Sequence, residues 1–382
     1  MCIRDRSRSD FDLLSTLYDK LHEDVFFEFK IIVTGAHLSE TFGKTINNIE
    51  LKKYPIADII YNLVDTDEKI GRIISLGNQI PALAQTFARE KPDLIIVAGD
   101  REEAITTSMS GAYMSIPVAH FFGGDIAKDG NIDNSTRYAT SKFAHLHFVT
   151  LEKHKINLIR MGESESKIFT VGNPAIDNII SIPKISRKEL TSNIGFNIEF
   201  DDYLVLIKHP IISEIDQQKE QMEIILDAIL ESNIKCLINY PNSDAGNSDI
   251  INVIDKYVSN HNTLFTFKNL DRVNYINLLR NASSLIGNSS SGLLEGPSLN
   301  LPAINIGSRQ RERIAAENVI FINHIKKDIV AAIKKVRYNN DFKEQVKNCI
   351  SPYGDGKTTD KVLKILKDLK ITDELIYKDI TY

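Results

Sequence analysis

Short apolar runs closed by glycines or polar turns alternate along this chain with stretches whose apolar positions recur every three or four residues. The runs read as buried parallel strands and the stretches as amphipathic helices. In the first half this predicts a helix over Leu13–Leu21, a strand over Phe27–Val33 and a long helical stretch over Thr66–Glu90. That stretch carries Ile70, Ile73, Ile74, Ile80 and Leu83 at helical spacing, with a kink at Pro81. Strands follow at Pro92–Val97, Pro117–Phe121, His145–Thr150 and Ile168–Val171, separated by helices at Ala104–Ser115 and Ser135–Ala144. Around Pro183–Arg187 the alternation restarts. Strands are expected at Tyr203–Ile207, Cys236–Asn239, Leu264–Phe267, Ser284–Ile286 and Ala303–Ile306, and helices at Glu220–Glu231, Ile250–Val258 and Val273–Ala282. A last amphipathic helix, Thr358–Leu369, has no strand after it. The pattern predicts an α/β protein of two Rossmann-like domains, 1–172 and 185–357, with helix 358–370 packing back on the first.

The opening residues depart from this pattern. Met1–Arg6 lacks both a signal-peptide pattern and the apolar run that starts a nucleotide-binding domain. The expectation is a first strand that is missing or replaced, leaving a short or ragged central strand.

Leu285–Arg309 organises the rest. A strand enters Gly287-Asn288-Ser289-Ser290-Ser291-Gly292, a helix follows with Glu295 about one turn in, and a second strand ends at Gly307-Ser308-Arg309. First-turn amides lack intrahelical partners and the helix dipole favours anions there, so the turn is a candidate phosphate site. Ser289 and Ser290, lying between Gly287 and Gly292, add hydroxyl donors, and Glu295 suits a ribose diol. A helix cap alone needs one serine; here there are three.

Composition narrows the partners. Across 382 residues, 42% are hydrophobic and 25% charged, as in ordinary globular proteins. A net charge of −5 argues against nucleic acid. Three distant cysteines form neither a disulfide ladder nor a metal-ligand set. No stretch approaches the ~20 apolar residues of a membrane span, and the cytoplasm is the default location. No metal-ligand set is present and no G-x-G-x-x-G follows a strand, so neither a metal nor a nicotinamide cofactor is expected.

Eight motifs in register then carry a resemblance: Arg8-Ser9-Asp10-Phe11, Val33–Leu38 with His37, Gly99-Asp100-Arg101, His120–Asp125 with Asp133 and Arg137, Lys208-His209-Pro210, Pro241-Asn242 with Asp244, Ile286–Gly292 with Glu295, and Gly307–Gln310. The chain resembles the UDP-N-acetylglucosamine 2-epimerases, and within them the hydrolysing branch that feeds sialic and legionaminic acid synthesis. The resemblance implies a glycosyltransferase-B type fold and a cleft holding a UDP-sugar. It also implies a homodimer or higher homo-oligomer. The family reaction breaks the anomeric C–O bond, releases UDP and inverts C2 through a glycal. A barely acidic C2 proton demands a positioned base, and a departing diphosphate demands cations and amides.

By resemblance, Asp100, Asp133 and Asp125 are the acid–base candidates and His209 contacts the diphosphate or leaving oxygen. Arg8, Asp10, His37, Arg101, Arg137, Asn242, Asp244, Arg309 and Arg313 line the substrate and UDP site. Plainer readings stand beside these: Asp100 as a helix cap, Asp133 and Asp125 as turn residues, Arg137 as the i+4 partner of Asp133, and the arginines as solvated charges. Phe122 occupies a position where human-type members carry glutamate, and Asp125 replaces a usual glutamate with a shorter stem. The alternatives are a non-hydrolysing epimerase, a glycosyltransferase and a non-catalytic sugar-nucleotide sensor.

Overall fold

The structure, a computed structural model, describes residues 2–5, 8–40, 45–64, 66, 69–126, 132–199, 202–241, 246–268, 270–311 and 313–381. The chain forms two compact units, one of residues 1–178 with 353–382, the other of residues 179–352.

The first unit holds a seven-stranded parallel sheet in the order β3-β2-β1-β4-β5-β6-β7. The strands are β1 (Cys2–Asp5), β2 (Lys30–Thr34), β3 (Ile56–Ile60), β4 (Ile95–Ala98), β5 (Val118–Phe121), β6 (Leu146–Val149) and β7 (Ile168–Thr170). Alternation divides their side chains between two layers. Ile31, Val33, Ile96 and Ala98 join one core with Phe11, Leu14 and Leu17 of helix Arg8–Glu23, whereas Ile32, Ile95 and Val97 join another with Leu83 and Phe87. The segment expected to lack a first strand takes strand backbone over Cys2–Asp5. It pairs with β2 along all four residues and with β4 through Cys2 and Ile3 only. Ladder partners on both sides satisfy its backbone groups without an apolar run.

The long helix runs over Lys69–Glu90 with Pro81 inside it. It does not bury the first three of the residues that announce it: Ile70, Ile73 and Ile74 are exposed, whereas Ile80 is half-buried and Leu83 buried. Ser75, Gln79, Leu83, Thr86 and Phe87 are buried instead. Ser75 donates to the Gly71 carbonyl and accepts from Val64 N–H; the Gln79 amide meets Asn62 and Thr107. A hydrogen-bonded polar stripe therefore faces inward. The carboxyl-terminal helix, Thr358–Asp368, sends Val362 and Leu366 into the first unit's core. The Asp177 carboxylate caps it, accepting from the amides of Thr358 at 3.1 Å and Thr359 at 2.6 Å.

The second unit repeats the architecture with a six-stranded parallel sheet, β10-β9-β8-β11-β12-β13. Its strands are β8 (Tyr203–Ile207), β9 (Lys235–Asn239), β10 (Leu264–Phe267), β11 (Ser284–Gly287), β12 (Ala303–Ile306) and β13 (Val319–Ile322). Both sheets reverse their strand order once, between β1 and β4 and between β8 and β11. Open α/β sheets bind ligands at the carboxyl ends of such neighbours.

Candidate active site

At the first reversal β4 ends in Gly99-Asp100, and two elements meet there. Helix Asp133–Phe143 presents Asp133 in its first turn and Arg137 one turn on, both buried. The Arg137 guanidinium donates through Nη2 to Asp100 Oδ2 and through Nη1 to the Asp125 carbonyl at 2.9 Å. The Arg101 Nη1 donates to Asp133 Oδ1 at 3.3 Å, and its Nε stands 3.9 Å from Asp100 Oδ1. Sequence spacing offered Arg137 to Asp133 along the helix. The fold gives it Asp100 from another element, so two carboxylates and two guanidiniums form one cluster. Asp125, the most exposed of the three acids, has Oδ1 3.3 Å from His154 Nε2.

The cluster rests on a histidine that motif reading passed over. His120 lies in β5, is fully buried, and joins Gly99 to the helix. Its Nε2 is 2.8 Å from the Gly99 carbonyl and its Nδ1 3.0 Å from Ser141 Oγ. A carbonyl only accepts, so Nε2 carries the proton and Nδ1 accepts from the Ser141 hydroxyl. Burial pushes its pKa down to about 3, which keeps the ring neutral. The turn after β5 is tight. A Cβ on Gly123 would lie 2.9 Å from Ser141 Oγ and 3.2 Å from His120 Nδ1. Phe122 takes a left-handed φ of 67°, unfavourable for a bulky residue by about 1 kcal/mol. A histidine amid a wholly apolar strand was the available signal.

Of the remaining first-unit candidates, His37 is fully buried with Nδ1 2.7 Å from Thr45 Oγ1, presenting no open surface to a sugar. Arg8 and Asp10 begin helix Arg8–Glu23, and their side chains lie outside what is described.

At the second reversal Asn288 ties two strand ends together. Its Oδ1 accepts from the His209 amide at 2.7 Å and its Nδ2 donates to the His209 carbonyl at 2.8 Å. Arg309 Nη1 and Gln310 Nε2 both donate to the Asn288 carbonyl at 3.2 Å. His209, the serine turn and Arg309 are thereby joined at one sheet edge. The serine turn itself differs from expectation. The helix is a single turn, Ser291–Leu294, with Glu295 at its C-cap and a 3₁₀ turn, Gly296–Leu299, beyond. Ser289 accepts from the Ser291 amide at 3.3 Å, and Ser290 makes no side-chain cap. Four residues give little dipole; the donors are hydroxyls and local amides. Pro297 and the left-handed Asn300 end the segment before a longer helix forms.

Glu295 Oε1 pairs with Arg272 Nη2 at 3.1 Å, while its Oε2 is buried with no hydrogen-bond partner among the described residues. Arg313 is exposed. Asn242 and Asp244 lie outside the described residues. Beneath His209, Lys208 is buried on Gln218 Oε1 at 2.6 Å, and burial lowers its pKa to about 8. Among the described residues no group of three or more His, Cys, Asp or Glu side chains is arranged to hold a metal ion.

A UDP-N-acetylglucosamine 2-epimerase family model matches residues 19–367. A UDP-N,N'-diacetylbacillosamine 2-epimerase (hydrolyzing) of Legionella pneumophila is 33% identical over 97% of this chain and 96% of its own. A GDP/UDP-N,N'-diacetylbacillosamine 2-epimerase (hydrolyzing) of Campylobacter jejuni is 31% identical over 99% of this chain and 98% of its own. The solved UDP-GlcNAc 2-epimerase of Neisseria meningitidis bound to UDP-GlcNAc superposes with a TM-score of 0.80 at 18% identity, covering 96% of this chain and 99% of that one. That likeness establishes the α/β fold of paired Rossmann-like units, and the match over nearly the whole length means that this chain belongs to the UDP-N-acetylglucosamine 2-epimerase family.

Proposed function

We propose that this enzyme is a hydrolysing 2-epimerase of UDP-linked 2-acetamido sugars. Its substrate is UDP-N-acetylglucosamine or a 6-deoxy-2,4-diacetamido relative, and its products are UDP and the free 2-epimer. The reading draws on relatives named as hydrolysing enzymes. The single observation that carries it is the Asp100–Arg137 and Arg101–Asp133 cluster at the carboxyl end of β4.

Inversion at C2 sets the requirement. A base takes the C2 proton, the C–H electrons form the C1–C2 double bond, and the C1–O bond breaks with its electrons leaving on UDP. Water then adds its oxygen to C1, and a proton returns to C2 on the opposite face. Two faces call for two proton-handling groups. Asp100 and Asp133 fill those roles, with Asp125 the third candidate. Arg137 and Arg101 fix the carboxylates in place, each through a charge-assisted hydrogen bond to one oxygen of its partner. On the UDP side the proposal gives Ser289, Ser290 and Gly292 to the diphosphate and Glu295 to the ribose. His209, Arg309 and Arg313 neutralise the developing negative charge, and Arg8 and Asp10 are assigned to contacts with the substrate. Working in the cytoplasm as a homodimer or higher homo-oligomer completes the reading.

The test is one incubation in D2O with a panel of UDP- and GDP-linked acetamido sugars, followed by NMR. The expected result is free UDP and a released sugar of mannose configuration bearing deuterium at C2. Asp100→Asn is expected to lower kcat by about two to four decades while leaving UDP affinity intact. UDP-sugar persisting at equilibrium with deuterium at C2 would make the enzyme non-hydrolysing. Binding without any turnover would make the protein a sensor.

A further inference from the structure

Beyond helix Thr358–Asp368 the chain runs through a short helix, Asp373–Ile376, and on to Thr381 as a strap across the first unit. Leu375 enters the core. The Lys167 ammonium donates to the carbonyls of Leu375 and Tyr377 at 3.0 and 2.7 Å. Thr381 Oγ1 donates to the Glu163 carbonyl at 3.2 Å. Between these anchors Lys378 turns inward. Its Nζ donates to the carbonyls of Ser141 at 3.1 Å and Ala144 at 2.5 Å, and pairs with Glu163 Oε2 at 2.6 Å. Glu163 is itself buried, with His147 Nε2 at 3.1 Å and Lys142 Nζ at 2.9 Å.

Ser141 and Ala144 mark the carboxyl end of the helix that carries Asp133 and Arg137. The last carbonyls of a helix have no partner within it, and a cation there is favoured by the dipole. Here the capping cation comes from 234 and 237 residues away in sequence. Ser141 is also the residue whose hydroxyl donates to His120, and His120 holds the carbonyl of Gly99, next to Asp100. One contact therefore ends a connected path: Lys378, Ser141, His120, Gly99, Asp100.

We propose that the carboxyl-terminal strap is a positioning element for the reaction. By capping helix Asp133–Phe143 through Lys378, it fixes the register in which Asp100 and Asp133 meet their arginines. The inference rests on the acid–base reading of those carboxylates. Lys378 touches neither carboxylate, so its loss acts on alignment and leaves the UDP-binding residues of the second unit as they are.

The experiment compares the full-length wild type with Lys378→Met, Lys378→Arg and the double variant Glu163→Gln/Lys378→Met. The double variant removes the charge of the buried carboxylate that loses one of its partners in Lys378→Met, and so separates stability from alignment. Expected for Lys378→Met are a kcat at least twentyfold lower, KM and UDP Kd within twofold, and at least tenfold faster hydrogen exchange at amides 137–141. Lys378→Arg is expected to keep at least half of wild-type kcat, and the double variant to regain thermal stability without regaining kcat. A kcat within twofold of wild type in Lys378→Met, or one restored along with stability in the double variant, overturns the proposal. If the wild type epimerises none of the sugars, the acid–base reading fails on its own, and unchanged exchange at 137–141 in Lys378→Met then refutes the strap as well.

Discussion

A carboxylate is useful as a base only where its oxygens are held, and the two acids at the end of β4 are held by different arginines. Arg137, buried, bridges Asp100 and the Asp125 carbonyl; Arg101, more exposed, reaches Asp133. The family resemblance named all five residues, and Asp100, Arg101 and Asp125 also follow strand ends, where α/β sheets bind ligands. It did not provide the pairing, since Asp100 and Arg137 are 37 positions apart. Nor did it single out His120, a polar residue inside an apolar strand. Glu295 belongs at this scale too. It has one oxygen on Arg272 and another, Oε2, buried with no hydrogen-bond partner among the described residues. If it receives the ribose diol, Glu295→Ala is expected to raise the Kd for UDP about tenfold, equivalent to about 1.4 kcal/mol, by isothermal titration calorimetry. Its affinity for inorganic diphosphate should change less than twofold, since that probe lacks the ribose.

Strands and their closing glycines set where those residues stand. Gly287 ends β11 with φ of 124°, and an added Cβ would fall 2.1 Å from the Ile207 carbonyl oxygen of β8. No side-chain rotation relieves a clash with backbone, so Gly287→Ala must part β8 from β11 at the point where Asn288 clamps His209. It is expected to cost about 2–4 kcal/mol, read as a lower midpoint in urea unfolding. UDP affinity should weaken with it. The element types were readable because apolar runs between turns leave few alternatives. The buried face of Lys69–Glu90 was not. Ile70, Ile73 and Ile74 point outward while Ser75 and Gln79 pack inward, because hydrogen bonds to Asn62, Thr107 and the Val64 amide satisfy the polar stripe. Periodicity finds a helix; it does not say which stripe has partners.

Over the whole molecule the buried histidines govern the response to acid. Burial holds His120 at about 3, and His145 and His324 at about 4. Their unfolded-state value is about 6.5. Each folded value is depressed, so below pH 6.5 the unfolded chain binds protons that the folded chain refuses. The stability contributed is full above pH 6.5 and is lost as pH falls toward 3–4. Each such histidine gives a slope of about 1.4 kcal/mol per pH unit in the middle of that window. His120, His145 and His147, whose pKa burial also lowers, lie in the first unit and His324 in the second. Urea unfolding followed separately in the two units between pH 6.5 and 4.5 should therefore show the first losing stability more steeply. His120→Gln is expected to flatten that slope.

By itself the sequence determined the α/β class, the order of strands and helices, and the glycine, serine, histidine and carboxylate turns at strand ends. Those follow from local spacing, and local spacing is what the chain records. Only the tertiary structure decided which distant charges pair, which stripe of a helix is buried, and that a lysine near the carboxyl terminus caps the helix bearing Asp133. It also cut the serine-turn helix to a single turn and gave Cys2–Asp5 a central place in its sheet. Those outcomes depend on partners supplied from remote parts of the chain. A hydrogen bond or ion pair closes only after folding has brought its two ends together, and no residue announces its partner in advance.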